Sequence, residues 1–294
     1  MEVELDRLRA HVAELARTPR PAGSPALERA RDFVSRLLEA SGWELHRHPF
    51  AATTEDGTRL AGVNLIAHHP QQPARGKPRF CLGAHLDSRP ETPGADDNAS
   101  AVAALLEIAR LLPANWSSDA RVEVELVVFD LEEHGMLGGA EHARLTKANG
   151  TDLRGMVSLE MLGYCSHVPN TQMLPRALVG LYPTTGNFIA IIGNQNSAAL
   201  IEQWREGMQT ISGLPVEWLS VPANGESLQA TRLSDHSPFW DAGYPALMIT
   251  DTSFLRNPHY HLPSDTIDTL DFDFLTKVTQ GSLAAVRRVM AAGL

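Results

Sequence analysis

Disulfide chemistry has almost nothing to work with in this chain: Cys81 and Cys165 are the only cysteines among 294 residues, and neither belongs to a Cys-x-x-Cys pair. A disulfide framework is excluded, and the expectation is a reducing compartment, the cytoplasm. Long apolar runs are also missing. No window approaches the ~20 residues that cross a bilayer as a helix, so no membrane partner is expected. The first residues, Met1 to Asp6, have neither the basic start nor the apolar stretch of a signal peptide. Basic charge is short too: 25 Lys and Arg stand against 35 Asp and Glu, for a formal net charge of -10. Phosphate backbones demand basic patches, so nucleic acid is not an expected partner. Internal repeats, low-complexity tracts and linkers are absent, which argues for one domain over 1–294. What remains, 43% hydrophobic and 20% charged, has the proportions of an ordinary globular protein with a substantial core.

Hydrophobic periodicity places the elements. Leu5, Leu8, Val12 and Leu15 fall at helical spacing, and Thr18 to Ser24 breaks that helix. Ser24 then reads as an N-cap with Pro25 at the first helical position, and Gly42 closes the second helix. Trp43 to His48 and Val63 to His68 read as strands around a turn at Glu55-Asp-Gly57, with Pro49 at the end of the first. From Phe80 a strand–loop–helix pattern repeats. Strands are expected at Phe80–Ala84, Val122–Phe129, Gly155–Leu159, Phe188–Gly193 and Pro245–Thr250. Helices are expected at Val102–Leu112, Ser197–Thr210 and Leu275–Ala292. This alternation predicts an α/β fold, a mixed, mostly parallel central sheet with helices on both faces. Cys165 to Asn187 has no periodicity and carries Pro169, Pro175 and Pro183. A stretch that long is either a wall or lid of a site or a solvated excursion.

The chemistry gathers at strand ends. Gly83 to Ser100 joins a strand to a helix through a loop holding His85, Asp87, Asp96 and Asp97. Carboxylates that close repel unless a cation sits among them. Glu132 and Glu133 follow the strand ending at Phe129, Glu160 follows the strand ending at Leu159, and His261 lies in the loop after Thr250. Ligands of open α/β sheets bind beyond the carboxyl ends of the strands. Four strand ends therefore deliver imidazole or carboxylate to one rim. Mixed His and carboxylate donors suit zinc. Five ligands with one shared carboxylate would make two neighbouring metals. Each motif alone has a plainer reading. Glu132-Glu133 suits a helix start, Asp96 to Ser100 suits a cap, and the chain's twelve histidines include His46, His48, His68, His69 and His142 with no such context.

Taken in order, His85-Leu-Asp87, Gly94-Ala-Asp-Asp-Asn-Ala-Ser100, Glu132-Glu133, Ser158-Leu-Glu-Met161 and Tyr260-His261 resemble the co-catalytic di-zinc aminopeptidases. That family also includes glutamate carboxypeptidase, the glutaminyl cyclases and the transferrin receptor. The resemblance covers nearly the whole chain and implies a zinc-exopeptidase-like α/β/α sandwich. It implies that His85 and Glu160 bind one zinc, Glu133 and His261 a second, and that Asp97 bridges them. Asp87 would orient His85, Glu132 would be the general base, and Tyr260 would stabilise the tetrahedral intermediate. His261 is preferred to His259 because it begins the pattern His-x-x-x-Asp-Thr, and Asp235-His236 is a possible further element. Glu160 departs from the family, where Asp is common, and Ala101 stands where Gly is common. The expected activity is hydrolysis of N-terminal residues from peptides with a free N-terminus, by a metal-activated water. A glutaminyl-cyclase-type acyltransferase with one zinc and a non-catalytic binding protein are the alternatives. Side-chain preference and oligomeric state are not readable.

Overall fold

Patterning of the central strands sets the layers. The computed structural model describes residues 2–294. Strand β4, Glu123–Phe129, is buried at every position. Val124, Leu126 and Val128 enter one core, while Val127 and Phe129 enter another on the opposite face. A strand buried on both sides has to be central. Around it lie β1 (Glu44–Thr53), β2 (Arg59–His68), β3 (Arg79–His85), β5 (Leu153–Glu160), β6 (Ile189–Asn194), β7 (Val216–Val221) and β8 (Ala246–Thr250). The sheet order is β1-β2-β4-β3-β5-β8-β6-β7. Pairings β3–β4, β3–β5, β5–β8 and β6–β7 are parallel; β1–β2, β2–β4 and β6–β8 are antiparallel.

Helices α1 (Leu5–Leu15), α2 (Pro25–Ala40), α3 (Ala101–Leu111), α5 (Ala198–Met208) and α7 (Phe272–Ala292) contribute to the larger core. The Ser24 hydroxyl accepts the Leu27 N–H at 3.1 Å, as its N-cap reading requires. Helix α3 is apolar nearly all round and is buried accordingly. The opposite face carries α4 (Leu137–Ala148) and the short α6 (Ser237–Asp241), whose Ala143, Phe239 and Trp240 meet Val127, Phe129 and Met156. No helix among the described residues is long and apolar enough to cross a membrane.

Several boundaries differ from the sequence reading. Pro49 is not at a strand end: β1 runs on to Thr53, with Pro49 opposite Val63. Because β1 is the sheet's edge, a missing N–H is tolerated there. Helix α4 went unseen because Gly138 and Gly139 open it and lower its helix propensity. Strand β7, an edge on which Trp218 and Ser220 are exposed and Glu217 alternates with apolar residues, gave no apolar run.

The tightest helix contact is between α5 and α7. A Cβ built on Gly207 would lie 2.4 Å from the Ala285 Cα, so the backbones touch where no side chain intervenes. Gly207→Ala is therefore expected to destabilise the fold by about 1–3 kcal/mol through overpacking, despite the better helix propensity of Ala. A urea midpoint that stays the same or rises would refute this packing account.

Candidate metal centre

Strand chemistry and loop geometry together bring the candidate ligands in. His85 ends β3 and Glu160 ends β5. By strand alternation both side chains leave on the face of Cys81 and Met156, the α4 and α6 side. After Phe129, Leu131 takes a left-handed φ of 57° and starts a tight turn of Glu132, Glu133 and His134. Asp97 lies in the irregular turn before α3, after the left-handed Gly94. His261 sits in the loop beyond β8, also left-handed at φ 57°.

Asp97 is the centre of the arrangement. Its Oδ1 lies 3.2 Å from His85 Nε2, and its Oδ2 lies 3.1 Å from His261 Nε2. The Glu160 Oε1 is 3.5 Å from the same His85 nitrogen, and the Glu133 Oε2 is 3.2 Å from the His261 nitrogen. Two triads of donor atoms result, His85–Asp97–Glu160 and Asp97–Glu133–His261, each within 4.8 Å of one another. The His85 Nε2 and Glu133 Oε1 atoms are buried without a hydrogen-bond partner. Buried polar atoms rarely stay unpaired. Orphaned nitrogen and oxygen donors aimed at a shared carboxylate fit a cation such as zinc.

The model of Peptidase family M28 matches residues 64–286. The chain belongs to Peptidase family M28. The uncharacterized protein YfbL of Escherichia coli K12 is 34% identical over 272 residues, 87% of this chain and 78% of that one. A probable leucine aminopeptidase 1 of Trichophyton verrucosum is 30% identical over 214 residues, 69% of this chain; the match spans 52% of that protein. Among solved structures, the zinc aminopeptidase BSAP from Bacillus subtilis has a TM-score of 0.76 at 16% identity, over 97% of this chain and 95% of that one. A Porphyromonas gingivalis glutaminyl cyclase has a TM-score of 0.74 at 20% identity, over 98% of this chain and 99% of its own. At such identities both structures show a shared fold.

Around the triads, this M28 chain uses backbone N–H groups as braces. The Asp87 backbone carbonyl is 3.1 Å from His85 Nδ1, closer than its carboxylate at 3.6 Å. That carboxylate instead accepts the N–H groups of Glu132 and Glu133, at 3.1 and 3.2 Å. Asp96 points away from the triads, accepting from the Gly163 N–H and the Asn257 side chain. His259 pairs with Ser264 at 3.0 Å, and His236 with the Thr231 carbonyl at 2.8 Å; neither joins a triad. Tyr260 stacks on His261 with centroids 3.7 Å apart, and both line the cavity beside the centre.

Sequence reasoning missed three residues. Ser234 donates to Glu160 Oε2 at 2.8 Å; its neighbours Asp235-His236 drew notice instead. Asp265 receives the N–H groups of Asp96 and Asp97 at 2.9 and 3.1 Å, and the Asp of His-x-x-x-Asp-Thr was its signal. Fully buried Arg20 donates to the carbonyls of Leu15, Leu86, Pro93 and Gly94. Nothing in a Pro-rich break announces such a clamp.

The electrostatics follow from crowding. Burial opposes charge on His85, but Glu160 and Glu132 outweigh it and raise its pKa well above the ordinary imidazole value. Burial is likewise overcome at His261, where Asp97 and Glu133 raise the pKa to about 9. Burial would push Asp97 up, yet bonds from His261 and His85 hold it below the usual carboxylate range. Glu132 is lifted well above that range, chiefly by burial. Both imidazoles must lose a proton to bind a metal. Below the His261 value of about 9, zinc competes with protons for that imidazole. Zinc titration calorimetry in buffers of different ionisation heat is expected to show proton release, and affinity should rise with pH toward that value. No release together with a pH-independent affinity would contradict these assignments.

Proposed function

We propose that the chain is a zinc-dependent aminopeptidase that hydrolyses N-terminal residues from peptides with a free N-terminus. On this reading 1–294 acts as one cytoplasmic catalytic domain that binds two zinc ions. The carrying observation is Asp97, which offers one oxygen to each histidine. His85, Asp97 and Glu160 would hold one ion, and Asp97, Glu133 and His261 the other. Bound zinc supplies Lewis acidity and lowers the pKa of water toward neutrality.

The remaining roles belong to the chain's own side chains. Glu132 belongs to neither triad; its Oε2 lies 3.9 Å from His85 Nε2, and its side chain is only 13% exposed. Its raised pKa suits a group that takes a proton from the attacking water and passes it to the leaving amine. Burial raises the Tyr260 pKa, which keeps the hydroxyl protonated and able to donate to a developing oxyanion. The acidic rim suits the substrate's α-ammonium group. A cavity of about 240 Å³ beside the centre, lined by residues such as Ile192, Leu219 and Met248, takes the side chain.

The test offers zinc-loaded protein a Leu-terminated peptide, its N-acetylated form and a Gln-terminated peptide. Expected are about two zinc ions per chain by elemental analysis, leucine release from the free peptide alone, and loss of activity on chelation. Glu132→Gln should keep its zinc and lose about 10²–10⁴ in rate, whereas Glu133→Gln should lose zinc. Pyroglutamate formation without leucine release, at one zinc per chain, would instead make this a cyclase. Zinc binding with no turnover of any peptide would make it a binding protein.

A further inference from the structure

One charged residue in the cavity takes no part in the metal centre. Across β5, β8, β6 and β7 the register places Glu160, Thr250, Ala190 and Glu217 in one row. The next row is Ser158, Met248, Ile192 and Leu219. Residues opposite one another in a sheet share a face, so Glu217 emerges on the same side as the ligand Glu160. All four members of the first row line the cavity. Three strand spacings separate the Glu160 and Glu217 backbones, about 14 Å. Between them the floor is Thr250, Ala190, Met248 and Ile192, and Leu174 and Tyr182 line the same cavity. The cleft therefore runs from a metal centre, along apolar walls, to a carboxylate.

That carboxylate is unpaired. Among the described residues no hydrogen bond or ion pair reaches the half-buried Glu217 side chain. A partly desolvated carboxylate without a partner is unfavourable and gains most from a cation brought to it. Arg89, also on the cavity wall, is committed to Glu133 at 2.7 Å, at the metal end.

We propose that Glu217 is a specificity-determining residue, and that the cleft selects N-terminal residues with a long apolar stem and a cationic head: lysine and arginine. This rests on the aminopeptidase reading above. With the scissile carbonyl at the metal centre, the four-carbon stem of lysine lies along Ile192 and Ala190, and its ammonium meets Glu217. An aliphatic side chain satisfies the walls and leaves the carboxylate unpaired.

The discriminating pair is lysine against norleucine, which share the stem and differ in the charged head. Zinc-loaded protein is assayed on lysyl and norleucyl chromogenic amides, unmodified and as Glu217→Gln. The expected ratio of kcat/KM favours lysine by about tenfold to a hundredfold, the range of a charge-assisted hydrogen bond, and falls toward one in Glu217→Gln. A ratio near one in the unmodified protein, or one that Glu217→Gln leaves unchanged, overturns the proposal. Binding separates this from failure of the enzymatic reading. Zinc-loaded Glu132→Gln is titrated calorimetrically with lysinamide and norleucinamide, with and without Glu217→Gln. Lysinamide preference that depends on Glu217, when the unmodified zinc-loaded protein hydrolyses none of the amides or peptides, would sink the peptidase reading and keep the site. Equal binding of both amides would sink the site.

Discussion

Everything at the rim depends on holding carboxylates together that repel one another. Asp97, Glu133 and Glu160 belong to the donor triads, and Asp87, Asp96, Asp235, Asp251 and Asp265 are buried close by. The fold rarely answers these with side-chain cations. Backbone N–H groups do the holding: Glu132 and Glu133 for Asp87, Gly163 for Asp96, Gly139 for Asp235, Tyr164 and Ser253 for Asp251, Asp96 and Asp97 for Asp265. These bonds offset part of the cost of burial, which still raises the Asp251 pKa to about 6 and the Asp265 pKa to about 7. The same bonds shape the loops: Asp87 positions the turn that carries Glu133, and Asp265 the turn that carries Asp97. Arg20 is a buried cation at this rim. Burial lowers its pKa to about 10, still charged at neutral pH, and its guanidinium donates to the Leu15 carbonyl at the end of α1 and to the carbonyls of Leu86, Pro93 and Gly94 in the first loop.

This arrangement also explains what could be read from the sequence. Candidate ligands at strand ends were legible because strand and donor are contiguous: Phe80–Ala84 then His85, Leu159 then Glu160. Residue type carried the rest, since few structural reasons put His and Asp in a Gly-rich loop. Ser234 and Arg20 were not legible, because a serine hydroxyl or a guanidinium among carbonyls has no periodicity and many other uses. Strand β7 failed for a related reason. This edge strand is covered on one face only, so Val216 to Val221 is interrupted by Glu217 and Ser220 and shows no unbroken apolar run. The row linking Glu160 to Glu217 is a property of register, which depends on pairing between segments distant in sequence.

The two faces of the sheet divide the labour. One is sealed by α1, α2, α3, α5 and α7 and serves stability. On the other, α4 and α6 cover the middle, and toward β8, β6 and β7 the floor is left to the cavity. The stretch from Cys165 to Asn187 closes that side as a tied-down wall. Arg256 bonds Gln172 at 2.9 Å and the Phe188 carbonyl at 2.7 Å, its guanidinium lying over the Phe188 ring. The Met173 N–H reaches the Leu255 carbonyl at 2.8 Å, and the Tyr182 hydroxyl donates to the Trp218 carbonyl at 2.8 Å. A wall held at both ends shapes a cleft before any substrate arrives, which lowers the ordering cost of binding.

Glu160 shows how a carboxylate one methylene longer than aspartate is held in place. An aspartate at the end of β5 would offer a shorter side chain with fewer rotamers to lose. The glutamate has one more methylene, and each added rotor costs entropy when the carboxylate must be held still. Ser234 supplies the restraint. Its hydroxyl donates to Glu160 Oε2 at 2.8 Å and sits 2.8 Å from the Ser158 hydroxyl, so the chain Ser158–Ser234–Glu160 is continuous and buried. Ser158 is two residues before Glu160 on β5, hence on the same face. The strand that presents the longer carboxylate thus also anchors the residue that steadies it. Oε1 is left 3.5 Å from His85 Nε2, within the triad. The longer side chain and its brace are one unit, and the extra methylene moves the point of restraint from the backbone to Ser234.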